Sequence, residues 1–239
     1  MRFEFHERIT TAVLRTSALP VAAQRVVLWG NWSVDYYNIL AAHWPSPAVR
    51  TQNLRFHFAN LADGTEVAAH WDWLTTYGRR TLTGERSPGH ALYQVGRILH
   101  AVQDFYAHTN WVELALAQGL SGPDLPTWEE RPPALLQNLY SFALPDSAGY
   151  DPARDHAALH KDEPGCPAGP LVFAWTAQLA WRATQFWWSS LLSWLPHTTL
   201  HRLPGARPGP WAWFSRRLVE QLYIRDDLFQ APVDGLPSV

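Results

Sequence analysis

One short segment constrains this chain more than any other, because histidine and aspartate recur in it at four-residue intervals. The segment is GRILHAVQDFYAHTNWVEL, residues 96–114, and it holds His100, Asp104 and His108. On an α-helix, residues i, i+4 and i+8 lie in one column along a single face. The intervening residues suit a helix, and no Gly or Pro interrupts residues 97–114. The pattern predicts one continuous helix that carries all three side chains on the same face.

Two imidazoles and a carboxylate in one column can bind a metal ion. Neutral histidine nitrogens and carboxylate oxygens are ligand types that zinc accepts, and one carboxylate can bridge two ions. A second interpretation is a buried helix whose His and Asp side chains hydrogen-bond to their neighbours. The HxxxDxxxH pattern is short, so it favours neither interpretation by itself.

The whole sequence indicates one large helical domain. Its 239 residues are 47% hydrophobic, enough for one sizeable core, and residues 1–239 are treated as one domain. No strand-like alternation is evident, so the expected fold class is all-α with a multinuclear metal site and long connecting loops. The predicted helices, of which Gly30 ends the second, cover residues 6–17, 20–30, 66–82, 90–114, 134–142, 171–195 and 211–228.

Charge, cysteine content and the first residues argue against several classes of protein. The formal net charge is −2, which gives no indication of a polyanionic partner. Cys166 is the single cysteine, so neither an internal disulfide nor a cysteine-rich zinc site is available. The segment MRFEFHERITTAVL is too charged for a secretory signal, and no run approaches the roughly 18 apolar residues of a membrane span. We therefore expect a soluble cytoplasmic protein.

Other histidines and acidic residues extend the set of metal-ligand candidates. The chain has 11 histidines, and His156 and His160 repeat the four-residue interval in DHAALHKDEPG. Helical proteins with inward-facing polar side chains can build sites for several metal ions. The candidate ligands are His6, Asp35, His57, His100, Asp104, His108, His156 and His160.

The segment LHAVQDFYAHTNWVE resembles the zinc-dependent phospholipase C and single-strand nuclease superfamily. It is most similar to the branch that contains the fungal incompatibility protein Het-C and its bacterial relatives. The resemblance extends in order over residues 6–162 and implies an all-helical fold, with two or three zinc ions bound by the eight candidates. It also implies that Asp104 bridges two metals, and that Asp35 is either a ligand or the base that orients the attacking water.

The resemblance implies a zinc-dependent phosphoesterase that hydrolyses a phospholipid or another small phosphodiester with metal-activated water. Two alternatives stay open: a hydrolase similar to the single-strand nucleases, and a non-catalytic interaction module stabilised by its metal ions. A nuclease favours a basic groove, but basic clusters here do not exceed pairs such as Arg79-Arg80 and Arg216-Arg217. A lipid or small phosphoester therefore ranks above nucleic acid as the expected partner.

Three further segments lead to more specific expectations. Residues 171–195 contain five tryptophans, which suit either peripheral membrane contact or a core helix, and the nearly all-apolar sequence favours the core. Lys161 and Asp162 are expected to support the histidine ligands by hydrogen bonds. In the related enzymes the terminal amino group binds metal, but the favoured expectation here is a solvent-exposed Met1.

Overall fold

The described residues form a helical structure around one long central helix. The computed structural model describes residues 1–43, 53–147 and 150–223. In these ranges the α-helices are α1 (Phe3–Arg15), α2 (Val21–His43), α3 (Gly64–Thr83), α4 (Pro88–His108), α5 (Trp111–Ala117), α6 (His156–Leu159), α7 (Pro170–Ser193), α8 (His197–Leu200) and α9 (Pro210–Tyr223). Short 3-10 helices connect some of them, and the same ranges contain no β-strand beyond two isolated bridges. The expected all-α class is confirmed.

Helix α4 lies at the centre of the core. Ser87 caps its first turn by accepting a hydrogen bond from the His90 backbone N–H, and Pro88 follows at a position where its missing N–H is not needed. From residue 91 to residue 108 nearly every side chain is buried, and helices α2, α3 and α7 pack around them. The polar side chains of α4 must therefore find their partners inside the protein.

Two glycines allow α2 and α4 to approach each other closely. A Cβ on Gly30 would lie 2.0 Å from the Tyr93 carbonyl oxygen, and a Cβ on Gly96 would lie 2.0 Å from the Val27 carbonyl oxygen. Only glycine fits at such a backbone contact. The prediction that Gly30 ends the second helix is wrong, because this glycine serves the helix contact and α2 continues through it to residue 43.

Helix α4 ends at His108, before the predicted end at residue 114. The Thr109 hydroxyl donates to the Phe105 carbonyl oxygen at 2.6 Å, and the Thr109 backbone is extended. The Asn110 side chain accepts a hydrogen bond from the Tyr140 backbone N–H. Thr and Asn side chains compete in this way with helical hydrogen bonds, so the chain breaks here and α5 follows.

The segment predicted as a helix at residues 134–142 is mostly not helical. It forms the 3-10 turn Pro133–Leu136 and then runs past the end of α4. There Ser141 pairs with Thr109 in an isolated bridge, and the Phe142 N–H donates to the His108 carbonyl oxygen at 2.9 Å. These bonds satisfy backbone groups left open at the end of α4, and that gain outweighs the local preference for a helix.

Helix α7 packs in the core, as its nearly all-apolar sequence predicts. Its Trp187 and Trp188 are buried, and the Phe173 ring contacts Phe5 of α1 edge-on. Helix α9 ends the described chain, so the last residues of the helix predicted at 211–228 lie outside the described residues. Within the described ranges, no helix has both the length and the apolar character needed to cross a membrane.

Candidate metal centre

The carboxylate of Asp104 on α4 is the centre of the candidate site, and it is only 1% exposed. His6 Nε2 lies 3.0 Å from its Oδ1, while His57 Nδ1 and His100 Nε2 lie 2.8 Å and 3.1 Å from its Oδ2. His108 Nδ1 approaches the same Oδ2 at 3.6 Å. Four imidazoles from three parts of the chain therefore surround one buried carboxylate.

Among the residues that the structure describes, the side chains around Asp104 that could hold a metal ion form three groups. Within each group, the ligand atoms all lie within 4.8 Å of one another. Group 1 is His6, His100 and Asp104; group 2 is Asp35, His57 and His100; group 3 is His108, His156 and Asp162. Imidazole nitrogen and carboxylate oxygen are common donors to divalent metals. The structure thus brings seven of the eight predicted ligands into groups that can hold metal ions.

A tight turn delivers His57 to the site. His57 ends the 3-10 helix Arg55–His57, and the following Phe58 has a φ of 50°. A bulky residue rarely adopts this left-handed conformation. Here the Phe58 ring is completely buried and packs edge-on against Phe105 of α4, which offsets the strain of the turn. The sequence pattern FHF therefore places the imidazole of His57 against the Asp104 carboxylate.

Several buried imidazole nitrogens have no hydrogen-bond partner within the described part of the chain. His6 Nδ1 donates to Gln103 Oε1 at 2.6 Å, and its Nε2 lies 3.0 Å from Asp104 Oδ1 without a hydrogen bond. His57 Nε2 and both ring nitrogens of His100 also lack a hydrogen bond. Burying polar atoms in this way costs free energy. A cation would satisfy these atoms, so the residues present fit a bound metal.

Burial and neighbouring charges set the protonation states of these groups. Burial lowers the pKa of His100 well below its usual value and, against the opposing effect of Asp104, lowers the pKa of His108 to about 4. Burial favours a higher pKa for Asp104, but His108 and the Met1 amino group hold it well below its usual range. Burial raises the pKa of Asp35 to about 6, with His57 opposing. At neutral pH, His100 and His108 are therefore neutral and Asp104 is ionised, which are the forms that bind metal.

The Met1 amino group lies inside the site. It donates to Asp104 Oδ1 at 2.9 Å, and it lies 2.7 Å from Asp162 Oδ1 and 3.1 Å from His108 Nε2. The expectation of a solvent-exposed Met1 is therefore wrong. Burial favours a lower pKa for this amino group, but Asp104 and Asp162 outweigh burial and raise the pKa to about 10. The ammonium group balances these two carboxylates, and it lies between donors of groups 1 and 3.

Asp162 and His160 differ from the roles that the sequence suggests. Asp162, expected to give support by hydrogen bonds, belongs to group 3: its Oδ1 lies 2.9 Å from His108 Nε2 and its Oδ2 lies 3.3 Å from His156 Nε2. His160 belongs to none of the three groups, and its Nδ1 lies 3.6 Å from Asp162 Oδ2. The physical reason is that α6 ends at Leu159 and His160 is extended. The His160 ring still stacks on the His156 ring, with 5.3 Å between their centroids, but His160 joins none of the three groups.

A cavity of about 460 Å³ opens onto the groups. The described lining residues that offer an amino, imidazole or carboxylate group to the cavity are Met1, Asp35, His57, His108, His156 and Asp162. The other described lining residues are Asn38, Leu54, Phe142 and Leu144. Asp104 is not among the lining residues, so Asp35 and Asp162 are the carboxylates of the three groups that a molecule in the cavity can reach. None of the lining residues that the structure describes is Lys or Arg.

Residues 60–126 match the family model of the VWA7 N-terminal domain. The matched range contains α3, α4 and α5, and therefore His100, Asp104 and His108. It covers less than half of the chain. No curated protein and no solved structure gives a significant match. The match therefore concerns the central helices alone. The other metal-ligand candidates of the three groups lie outside the matched range.

Proposed function

We propose that this protein is a zinc-dependent phosphoesterase that hydrolyses a phospholipid or another small phosphodiester. The observation that supports the proposal is the convergence of three ligand groups on Asp104, with buried imidazole nitrogens that lack hydrogen bonds, beside an open cavity. Zinc and phosphate-ester hydrolysis follow from the resemblance of residues 6–162 to the zinc-dependent phospholipase C and nuclease superfamily.

Two or three zinc ions would be held by three carboxylates and five imidazoles. These are Asp35, Asp104, Asp162, His6, His57, His100, His108 and His156. Bound zinc would supply a Lewis acid and a water whose pKa is lowered to about 7. Asp104 contacts donors of both group 1 and group 2. Its buried and rigid position would therefore keep those two groups at a constant separation.

Asp35 is the residue best placed to orient the attacking water. It lines the cavity, whereas Asp104 lies behind the donors. Its Oδ1 lies 3.7 Å from His100 Nε2, so it also belongs to the ligands of group 2. Burial raises its pKa to about 6 in the metal-free protein, so Asp35 is ionised at neutral pH, as a general base must be. Asp35 would accept a proton from the water as the phosphoester bond breaks.

The cavity favours one phosphodiester with an apolar substituent over a polynucleotide. Leu54, Phe142 and Leu144 are the apolar residues of the described lining, and the Phe142 ring packs edge-on against His108 and His156. A nucleic-acid groove needs basic side chains along the backbone path, and the described lining has none. A single phosphodiester carries one negative charge, which the metal ions alone can balance.

The test is hydrolysis of two chromogenic substrates, bis(p-nitrophenyl) phosphate and p-nitrophenyl phosphorylcholine, by the zinc-loaded protein. We expect a chelator to abolish the activity and Asp35→Asn to lower kcat by about 10²- to 10⁴-fold. Asp72→Asn, at an exposed position on α3, is the control and should retain full activity. A zinc-loaded protein that hydrolyses neither substrate would favour the non-catalytic module, and rapid cleavage of single-stranded DNA would favour the nuclease.

A further inference from the structure

The single lysine of the sequence, Lys161, is completely buried beside group 3. The chain has 19 lysine and arginine residues in total, and every one of the others is an arginine. The Lys161 side chain is 0% exposed, although lysine is almost never fully buried without partners. Its Nζ donates to the carbonyl oxygens of Thr109 and Leu159 at 2.7 Å and 3.1 Å, and to Glu113 Oε1 at 2.9 Å. All three ammonium hydrogens are thereby used.

These bonds join Lys161 to both sides of His108. Thr109 follows His108 directly, and the Lys161 backbone N–H donates to the Ala107 carbonyl oxygen at 3.0 Å. The ammonium group also lies at the C-terminal end of α4, where the helix dipole favours a cation. Asp162 is the next residue, and its Oδ1 lies 2.9 Å from His108 Nε2. The position of Asp162 relative to His108 therefore depends on the bonds that Lys161 makes.

We propose that Lys161 is a positioning residue that assembles group 3, and that groups 1 and 2 form without it. The inference rests on the proposed function in so far as group 3 binds a metal ion. His6 and Asp35 reach the site on α1 and α2, and His57 reaches it on a 3-10 helix. His156 and Asp162, by contrast, belong to the segment that Lys161 attaches to the end of α4.

Three variants test this inference. Lys161→Met removes the ammonium group, and Glu113→Gln weakens one of its three acceptors at a partly exposed position. Arg182→Met is the matched control, because its guanidinium also ties a loop to a helix, donating to the Leu125 carbonyl oxygen at 2.7 Å and to Glu130 Oε2 at 2.8 Å. Each protein is titrated with zinc in competition with a chelating indicator, which gives the number and the affinity of the bound ions.

We expect Lys161→Met to keep the ions of groups 1 and 2 and to bind one ion about 10- to 100-fold more weakly, as is typical when a residue that orients ligands is lost. Glu113→Gln should weaken the same ion by a smaller factor, and Arg182→Met should leave all affinities unchanged. The inference is wrong if Lys161→Met binds the parent's number of ions with the parent's affinities, or if it loses all of them together. If Lys161→Met does not fold, Glu113→Gln decides by the same criteria.

A measurement on the metal-free protein separates this inference from the proposed function. Met1 and Lys161 carry the two primary amines of the chain, so an amine-selective acylating reagent can react only with the Met1 amino group of Lys161→Met. Asp162 lies 2.7 Å from that amino group, so displacing Asp162 should speed its acylation, roughly tenfold for each pKa unit lost. An unchanged rate in Lys161→Met would overturn the inference. If Lys161→Met is acylated faster than the parent and the parent binds no zinc, the inference is supported and only the proposed function is contradicted.

Discussion

His6 Nδ1 donates a hydrogen bond to Gln103 Oε1 across 2.6 Å, and this bond decides which ring nitrogen faces Asp104. The amide of Gln103 is held in this orientation, because the Thr184 hydroxyl that accepts from its Nε2 at 3.1 Å itself donates to the Ala180 carbonyl oxygen, and Asn31 Nδ2 donates to its Oε1 at 3.2 Å. A neutral His6 ring therefore carries its proton on Nδ1 and can present Nε2 to a metal ion. One buried glutamine thus sets the tautomer of a predicted ligand.

Replacing Gln103 by leucine should weaken the metal ion held by group 1. We expect a loss of about 10- to 100-fold in zinc affinity, because His6 can then carry its proton on either nitrogen. Gln94→Leu is the matched control: Gln94 is also a buried glutamine on α4, but its partners are Tyr77 and His90. Zinc titration checks the prediction. An equal loss of affinity in both variants would show a general effect of destabilisation and would contradict the role given to Gln103.

Asp104→Asn should remove most of the bound metal and destabilise the protein even without metal. In the metal-free state Asp104 balances the buried Met1 ammonium group and accepts from His57. Breaking a buried ion pair by removing one partner costs about 3–5 kcal/mol, so the free energy of unfolding in urea should fall by an amount of this order. Asp72→Asn, on the exposed face of α3, should change neither stability nor metal content. An Asp104→Asn protein with full metal and unchanged unfolding would refute the central role of this carboxylate.

The metal-free protein should lose stability between pH 8 and pH 10. The pKa of the Met1 amino group is raised from 8.0 to about 10 in the folded state, because Asp104 and Asp162 outweigh burial. The raised pKa contributes stability that is fully present below the pKa of the unfolded state. This contribution, up to roughly 3 kcal/mol, is lost as the pH rises through the pKa of the folded state. Urea unfolding at pH 7.5 and pH 10 measures this loss.

Asp162→Asn provides the control for the alkaline loss of stability. Burial also raises the pKa of the Cys166 thiol, so this thiol destabilises the fold in the same direction at high pH. Asp162→Asn removes one of the two carboxylates that raise the pKa of the amino group and keeps Cys166, so the difference between the two proteins reports mainly on the amino group. The loss should be clearly smaller in Asp162→Asn. Identical losses in the two proteins would mean that the Met1 amino group does not make this contribution.

Extending the chain by two residues before Met1 should lower the number of bound metal ions by one. The Met1 amino group lies 3.1 Å from His108 Nε2 and 2.7 Å from Asp162 Oδ1, so an extension converts a buried amine into an amide and displaces it. The same two residues added after Val239 are the control. Equal metal content in the two extended proteins would show that no bound ion depends on the Met1 amino group.

The central helix could be predicted from the sequence because its signal is local. The four-residue interval of His100, Asp104 and His108 places the three side chains on one face, and the structure brings all three to the same site. The end of α4 could not be predicted in the same way. It depends on hydrogen bonds of Thr109 and Asn110 with partners that include residues around 140, far along the chain.

The roles of Asp162, Gln103 and Gly30 depend on tertiary contacts that no local pattern encodes. Asp162 joins group 3 because Lys161 attaches its segment to the end of α4. Gln103 acquires its role from hydroxyls on α1 and α7, and Gly30 from the backbone of α4. A glycine in a helical segment has the same local sequence whether it ends the helix or permits a close contact.

Elemental analysis of the untagged protein shows whether the chain binds several metal ions around Asp104. The protein is purified without a histidine tag and without chelators, dialysed against metal-free buffer, and its zinc content per chain is measured by mass spectrometry. We expect two or three zinc ions per chain, and less than one in Asp104→Asn. A parent protein that contains no zinc and takes up none when zinc is added would show that the chain has no such metal centre.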